Sequence, residues 1–68
     1  MNLAKIRKEK HMTQYDVATS IGMSRSGYAM YETGDRQMSA KTAQSIAAVL
    51  DCTVEDLLAE ETDDEGGT

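Results

Sequence analysis

The chain has no proline, phenylalanine or tryptophan, and only one cysteine and one histidine among its 68 residues. Without proline, no position forces a helix to break, so segment ends must come from glycines and capping side chains. The single cysteine, Cys52, excludes an internal disulfide, and with His11 as the only imidazole no multi-ligand Cys/His metal site is possible. A reducing, intracellular setting is expected. No apolar run approaches the roughly 20 residues of a membrane span. The opening Met-Asn-Leu-Ala-Lys-Ile-Arg lacks the apolar stretch of a signal peptide. The expectation is therefore a soluble cytoplasmic protein with no membrane partner. No nucleophile–base pair and no cofactor motif occurs at a recognisable spacing, so neither an enzyme nor a cofactor is expected.

Positive charge is also scarce, and its placement is informative. The net charge is −5, yet residues 1–36 carry six basic against four acidic side chains. Residues 37–68 carry only Lys41 against eight acidic side chains, five of them between Glu60 and Glu65. The amino-terminal half is thus mildly basic and the acid is gathered at the other end. Screening over about 8 Å at physiological salt separates the two in effect. The segment 60–68 has too little apolar content to pack and is expected to be a disordered acidic tail behind a single domain spanning residues 1–59.

What the chain does have is helical periodicity. Leu3 and Ile6 face inward on a first helix from about Asn2 to Lys10, with Met12 closing the turn after it. Thr13 can cap a second helix, and Asp16 three residues later completes a capping box. Val17, Ala18 and Ile21 make its apolar stripe, and Gly22 supplies the left-handed residue that ends it. Ser24 caps a third helix, which puts Tyr28 and Tyr31 on one side and Arg25, Ser26, Ala29 and Met30 on the other. After a turn at Thr33-Gly34-Asp35-Arg36, Ser39 caps a fourth helix with Ala40, Ala43, Ile46, Ala47 and Leu50 inside. Asp51 ends that helix, and Thr53 with Asp56 caps a short fifth helix through Leu58. No run of alternating residues reaches strand length. The pattern predicts an all-α, compact five-helix domain. Its second and third helices form a rigid pair with a small, polar outer face, which suits laying one helix in the DNA major groove.

The ordered series Leu3, Ile6 and Arg7, then Met12-Thr13-Gln14, Val17-Ala18 and Ile21-Gly22-Met23-Ser24 resembles one family. It continues through Tyr31-Glu32-x-Gly34, Ile46-Ala47, Leu50 and Val54-Glu55-Asp56-Leu57-Leu58. It is similar to the Cro and lambda-repressor-type helix-turn-helix family, also called the xenobiotic-response-element (XRE) type. The resemblance covers about residues 2–59. It implies a transcriptional regulator, a repressor in the first instance, that binds a palindromic double-stranded DNA operator as a homodimer. The chain departs from the family at Met38, where proline is frequent, at Ala40 and Ala43, which replace larger aliphatics, and at Gly27 inside the third helix.

Site residues follow from the combined reading. Gln14, with the positive end of the second helix, either reaches a phosphate or is a solvated helix-start residue. Arg25 either reads a guanine or contacts a phosphate, Ser24 and Ser26 offer hydroxyls, and Ala29 and Met30 suit thymine methyl groups. Met30 packing on a neighbouring side chain is the alternative. Gly27 would let the backbone approach a base edge or phosphate. Tyr15 and Arg36 are further backbone contacts, or else a half-exposed tyrosine and a solvated loop charge. The family implies that Arg7 and Glu32 form a structural ion pair. Tyr28, Tyr31 and Cys52 read as core, and His11 as a surface turn. Leu57 and Leu58 are hard to bury together in so small a core, so Val54, Leu57 and Leu58 are assigned to a dimer surface. With no effector domain in the sequence, control would come through concentration or a partner. The acidic carboxy-terminal region is a candidate protein-binding segment, which gives the alternative of an antitoxin or antirepressor-like module.

Overall fold

The computed structural model describes residues 1–59; the acidic segment 60–68 lies outside the described residues, and so does the expectation of a tail there. Five helices follow one another: α1 (Leu3–Glu9), α2 (Gln14–Ser20), α3 (Arg25–Thr33), α4 (Ala40–Leu50) and α5 (Val54–Leu58). No strand occurs among the described residues.

The helix starts are set by local chemistry. The Thr13 hydroxyl accepts from Asp16 N–H at 3.0 Å while the Asp16 carboxylate accepts from Thr13 N–H at 2.9 Å, closing the capping box of α2. Thr53 and Asp56 repeat the arrangement at α5. Ser24 accepts from Gly27 N–H, and Ser39 accepts from Thr42 N–H, so α3 and α4 also start on hydroxyl caps. Their ends use left-handed residues. Gly34 stands at φ 85° after α3, and Asp51 at φ 56° after α4. An aspartate tolerates that region better than most side chains, because its short polar group can bond locally.

The core gathers Leu3, Val17, Tyr28, Ile46, Leu50 and Leu57, each with essentially no exposed surface. α2 packs on α3 and α4, while α5 packs on α1 and α4. Asn2 N–H donates to the Leu57 carbonyl at 3.0 Å and ties the start of the chain to α5. Tyr28 and Tyr31 sit in this core together with the small Ala47 of α4. Two assignments change: that of Ala40 to the inner face of the fourth helix and that of Leu57 to a dimer surface. Ala40, the first residue of α4, is exposed. Leu57 is wholly buried and has no surface to offer a partner, whereas the adjacent Leu58 is 52% exposed.

Candidate nucleic-acid interface

The second and third helices meet at the turn Ile21–Ser24, where Met23 N–H donates to the Ala18 carbonyl at 3.0 Å. Gly22 at φ 74° makes the turn. Tyr28 and Tyr31 anchor the inner side of α3, which fixes what its outer side presents: Arg25, Ser26 and Met30 are exposed and Ala29 is half-buried. This face is narrow and polar at its amino-terminal end, with an arginine, two serine hydroxyls (Ser24 among them) and no carboxylate. It can donate hydrogen bonds to base edges and offer methyl-sized apolar contacts, the two kinds of readout that a major groove accepts.

Behind this face lies a polar chain that crosses three helices. Arg7 donates from Nε to Glu32 Oε2 at 2.6 Å and from Nη2 to Glu32 Oε1 at 3.4 Å. Its Nη1 donates to the Met12 carbonyl at 2.7 Å, which closes the turn between α1 and α2. Both side chains are nearly covered, at 10% and 7% exposure. Burial works against the Glu32 charge, but the bond from Arg7, the neighbouring Tyr28 hydroxyl and the Gln14 amide outweigh it and hold its pKa below the ordinary glutamate value. The Arg7 guanidinium is pushed further up, first by its bond to Glu32. Burial, then Glu32, raises the Tyr28 phenol far above its usual range. That hydroxyl is close enough to feel both charges, yet makes no hydrogen bond of good geometry.

Gln14 extends the chain outward. Its Nε2 donates to Glu32 Oε1 at 2.9 Å, and its Oε1 accepts from Arg25 Nη1 at 3.1 Å. Gln14 and Arg25 are the first residues of α2 and α3, so this bond joins the starts of the two helices. The amide is thus engaged within the domain, with its second N–H still free by valence to donate. Residue pairing at this level was not legible in the sequence. The one signal was capacity: a carboxylate facing a single arginine has acceptor sites to spare.

The remaining site residues are dispersed around this centre. Tyr15 is 65% exposed on the first turn of α2. Arg36 N–H donates to the Met30 carbonyl at 3.2 Å, and its guanidinium lies 5.6 Å from the centre of the Tyr31 ring. Gly27 also has side chains of the protein close by: a Cβ there would stand 3.2 Å from Met23 Cε and 3.2 Å from Ser24 Oγ, with Arg36 Nη1 at 3.9 Å. On another side, Met1, Met38, Ala40, Ala43, Val54 and Leu58 line an apolar groove of about 350 Å³. Among the described residues no cluster of His, Cys, Asp and Glu side chains could hold a metal ion, and no helix is long and apolar enough to cross a membrane.

A helix-turn-helix family profile matches residues 3–57. An uncharacterized HTH-type transcriptional regulator, YqaE of Bacillus subtilis (strain 168), is 40% identical over 57 residues, covering 84% of this chain and 49% of the relative. The HTH-type transcriptional regulator AnsR of the same organism is 34% identical over 59 residues, covering 87% of this chain and 51% of the relative. The chain therefore spans about half the length of these curated relatives. No solved structure matches the chain significantly.

Proposed function

The chain belongs to the XRE-type helix-turn-helix family of DNA-binding domains, and from that premise we propose that it is a transcriptional repressor that occupies a palindromic operator as a symmetric dimer. The observation that carries this reading is the outer face of α3, where Arg25 and Ser26 stand exposed beside Met30 while Tyr28 and Tyr31 lock the opposite side into the core. α3 lies in the major groove and α2 crosses the sugar-phosphate backbone, with Gln14, Tyr15 and Arg36 as backbone contacts. Arg25 reads a guanine through its O6 and N7 acceptors, and Ala29 and Met30 meet thymine methyl groups.

The dimer forms through the apolar groove at α5, with Leu58 and Val54 of each protomer entering the space beside Met38 and Ala43 of the other. Support comes from the exposure of Leu58 and Met1, two large apolar side chains side by side at one groove. A two-fold axis there sets the recognition helices about one DNA turn, roughly 34 Å, apart. The acidic remainder of the chain keeps phosphate attraction weak per protomer, so two linked half-sites supply the affinity that one lacks. The HTH-type regulators YqaE and AnsR share this domain over half their length, which agrees with a regulatory role.

The test is selection of bound duplexes from a random-sequence pool, with the wild type and with Arg25→Ala. An inverted repeat for the wild type, with one base preference per half-site lost in the variant, supports the reading. Absence of enrichment at low salt refutes it.

A further inference from the structure

Glu32 does more than neutralise Arg7. A carboxylate only accepts hydrogen bonds and a guanidinium only donates them, whereas a glutamine amide has one end of each kind. Gln14 stands between the two. Its donating end faces Glu32 at 2.9 Å and its accepting end faces Arg25 at 3.1 Å. Turned over, the amide would set its carbonyl against a carboxylate and its N–H groups against a guanidinium. Both contacts would then be repulsive. Glu32 is itself immobilised, with only 7% of its side chain exposed and Arg7 bonded to both of its oxygens.

We propose that Glu32 is a specificity-determining positioning residue: through the polarity it imposes on Gln14, it aims the Arg25 guanidinium at its base. This inference rests on the reading of α3 as the groove helix. Arg25 is exposed at the first position of α3, where a long side chain would otherwise sample many rotamers. Holding one Nη1–H against Gln14 removes much of that freedom before DNA arrives and leaves the other donors of the fork facing outward. A guanine, with two acceptors side by side, takes two parallel donors. An adenine offers one acceptor beside a donor and is rejected by the same fixed fork. The preference for guanine thus depends on a buried carboxylate that never touches DNA.

The test measures relative affinity for operator duplexes carrying guanine or adenine at the position that Arg25→Ala identifies. In Glu32→Gln the new amide still accepts from Arg7, but its N–H₂ turns Gln14 over and sets a donor against Arg25. The guanine-to-adenine preference should fall by about tenfold, within the range of one bidentate contact, with the salt dependence of binding unchanged. The exchange Gln14→Glu with Glu32→Gln puts an acceptor back in front of Arg25 and should restore the preference, whatever the overall affinity. Gln14→Met removes both bonds, leaves the Arg7–Glu32 pair intact, and should lose the preference equally. It decides the matter if Glu32→Gln fails to fold. Folded Glu32→Gln and Gln14→Met proteins that keep the wild-type ratio while binding all duplexes more weakly would overturn the inference and leave α3 as the reading helix. A wild type without base preference at any position would overturn both together.

Discussion

Replacing Arg7 with methionine keeps an unbranched apolar stem and removes three hydrogen bonds: two to Glu32 and one to the Met12 carbonyl. The larger effect is on what remains. Glu32, 7% exposed, would be left as a covered charge with only the Gln14 amide for a partner. Removing one partner of such a pair costs about 3–5 kcal/mol. The lower end applies here because the pair lies near the surface. That loss is comparable with the whole stability of so small a domain, at about 0.05–0.15 kcal/mol per residue. A loss of about 3 kcal/mol corresponds to a fall in melting temperature of about 12–24 °C for a chain of this size. Far-ultraviolet circular dichroism of thermal melts reads it. The second half of the prediction separates burial of a charge from loss of packing. Arg7→Met combined with Glu32→Met removes both charges, and stability should return to within about 1 kcal/mol of the wild type, since paired charges in a covered site gain little over apolar groups of similar volume. Arg7→Met melting with the wild type, or the double variant melting as low as the single one, would refute the reasoning.

Other consequences follow from the same geometry. Because the Glu32 pKa is lowered on folding, its contribution is present above the unfolded value of 4.5 and is lost as pH falls through the lower folded value. Asp16, lowered by its capping bonds to Thr13, changes in the same sense. The wild type should therefore lose melting temperature more steeply below pH 4.5 than the Arg7→Met, Glu32→Met protein, and equal slopes would count against the coupling. Tyr28→Phe removes a buried hydroxyl that helps the Glu32 charge but makes no hydrogen bond of good geometry, so stability should stay within about 1 kcal/mol of the wild type in urea denaturation. A loss larger than that would show the hydroxyl to be bonded. Leu57→Ala should cost about 2–5 kcal/mol, whereas Leu58→Ala should change monomer stability by less than about 0.5 kcal/mol and weaken self-association in sedimentation equilibrium. Similar costs for the two would contradict their opposite burial.

Much of the fold was legible because its punctuation is local. Thr13 with Asp16, Ser24, Ser39, and Thr53 with Asp56 each bond a backbone N–H within three residues, so sequence spacing alone locates the helix starts. Gly22, Gly34 and Asp51 mark the turns for the same reason. The split of α3 into a tyrosine side and a polar side follows from helical period. Contacts between helices were harder. The Gln14 links to Glu32 and Arg25 span 18 and 11 residues, and they depend on side-chain reach that no periodicity encodes. Leu57 and Leu58 could not be ranked, because a helix of five residues gives barely one turn from which to judge a face. Gly27 showed only the freedom of a missing side chain; that Met23 and Ser24 use the space is a property of the packed turn.

The placement of α3 in the major groove is tested most directly by methylation interference on the selected operator duplex. Dimethyl sulfate marks guanine at N7 in the major groove and adenine at N3 in the minor groove. Arg25 bonding a guanine edge predicts that N7 methylation at one guanine per half-site, repeated about one helical turn away, abolishes binding, and that Arg25→Ala becomes indifferent to it. Interference confined to adenine N3, or none at any guanine in the wild type, would contradict the reading of DNA by this helix.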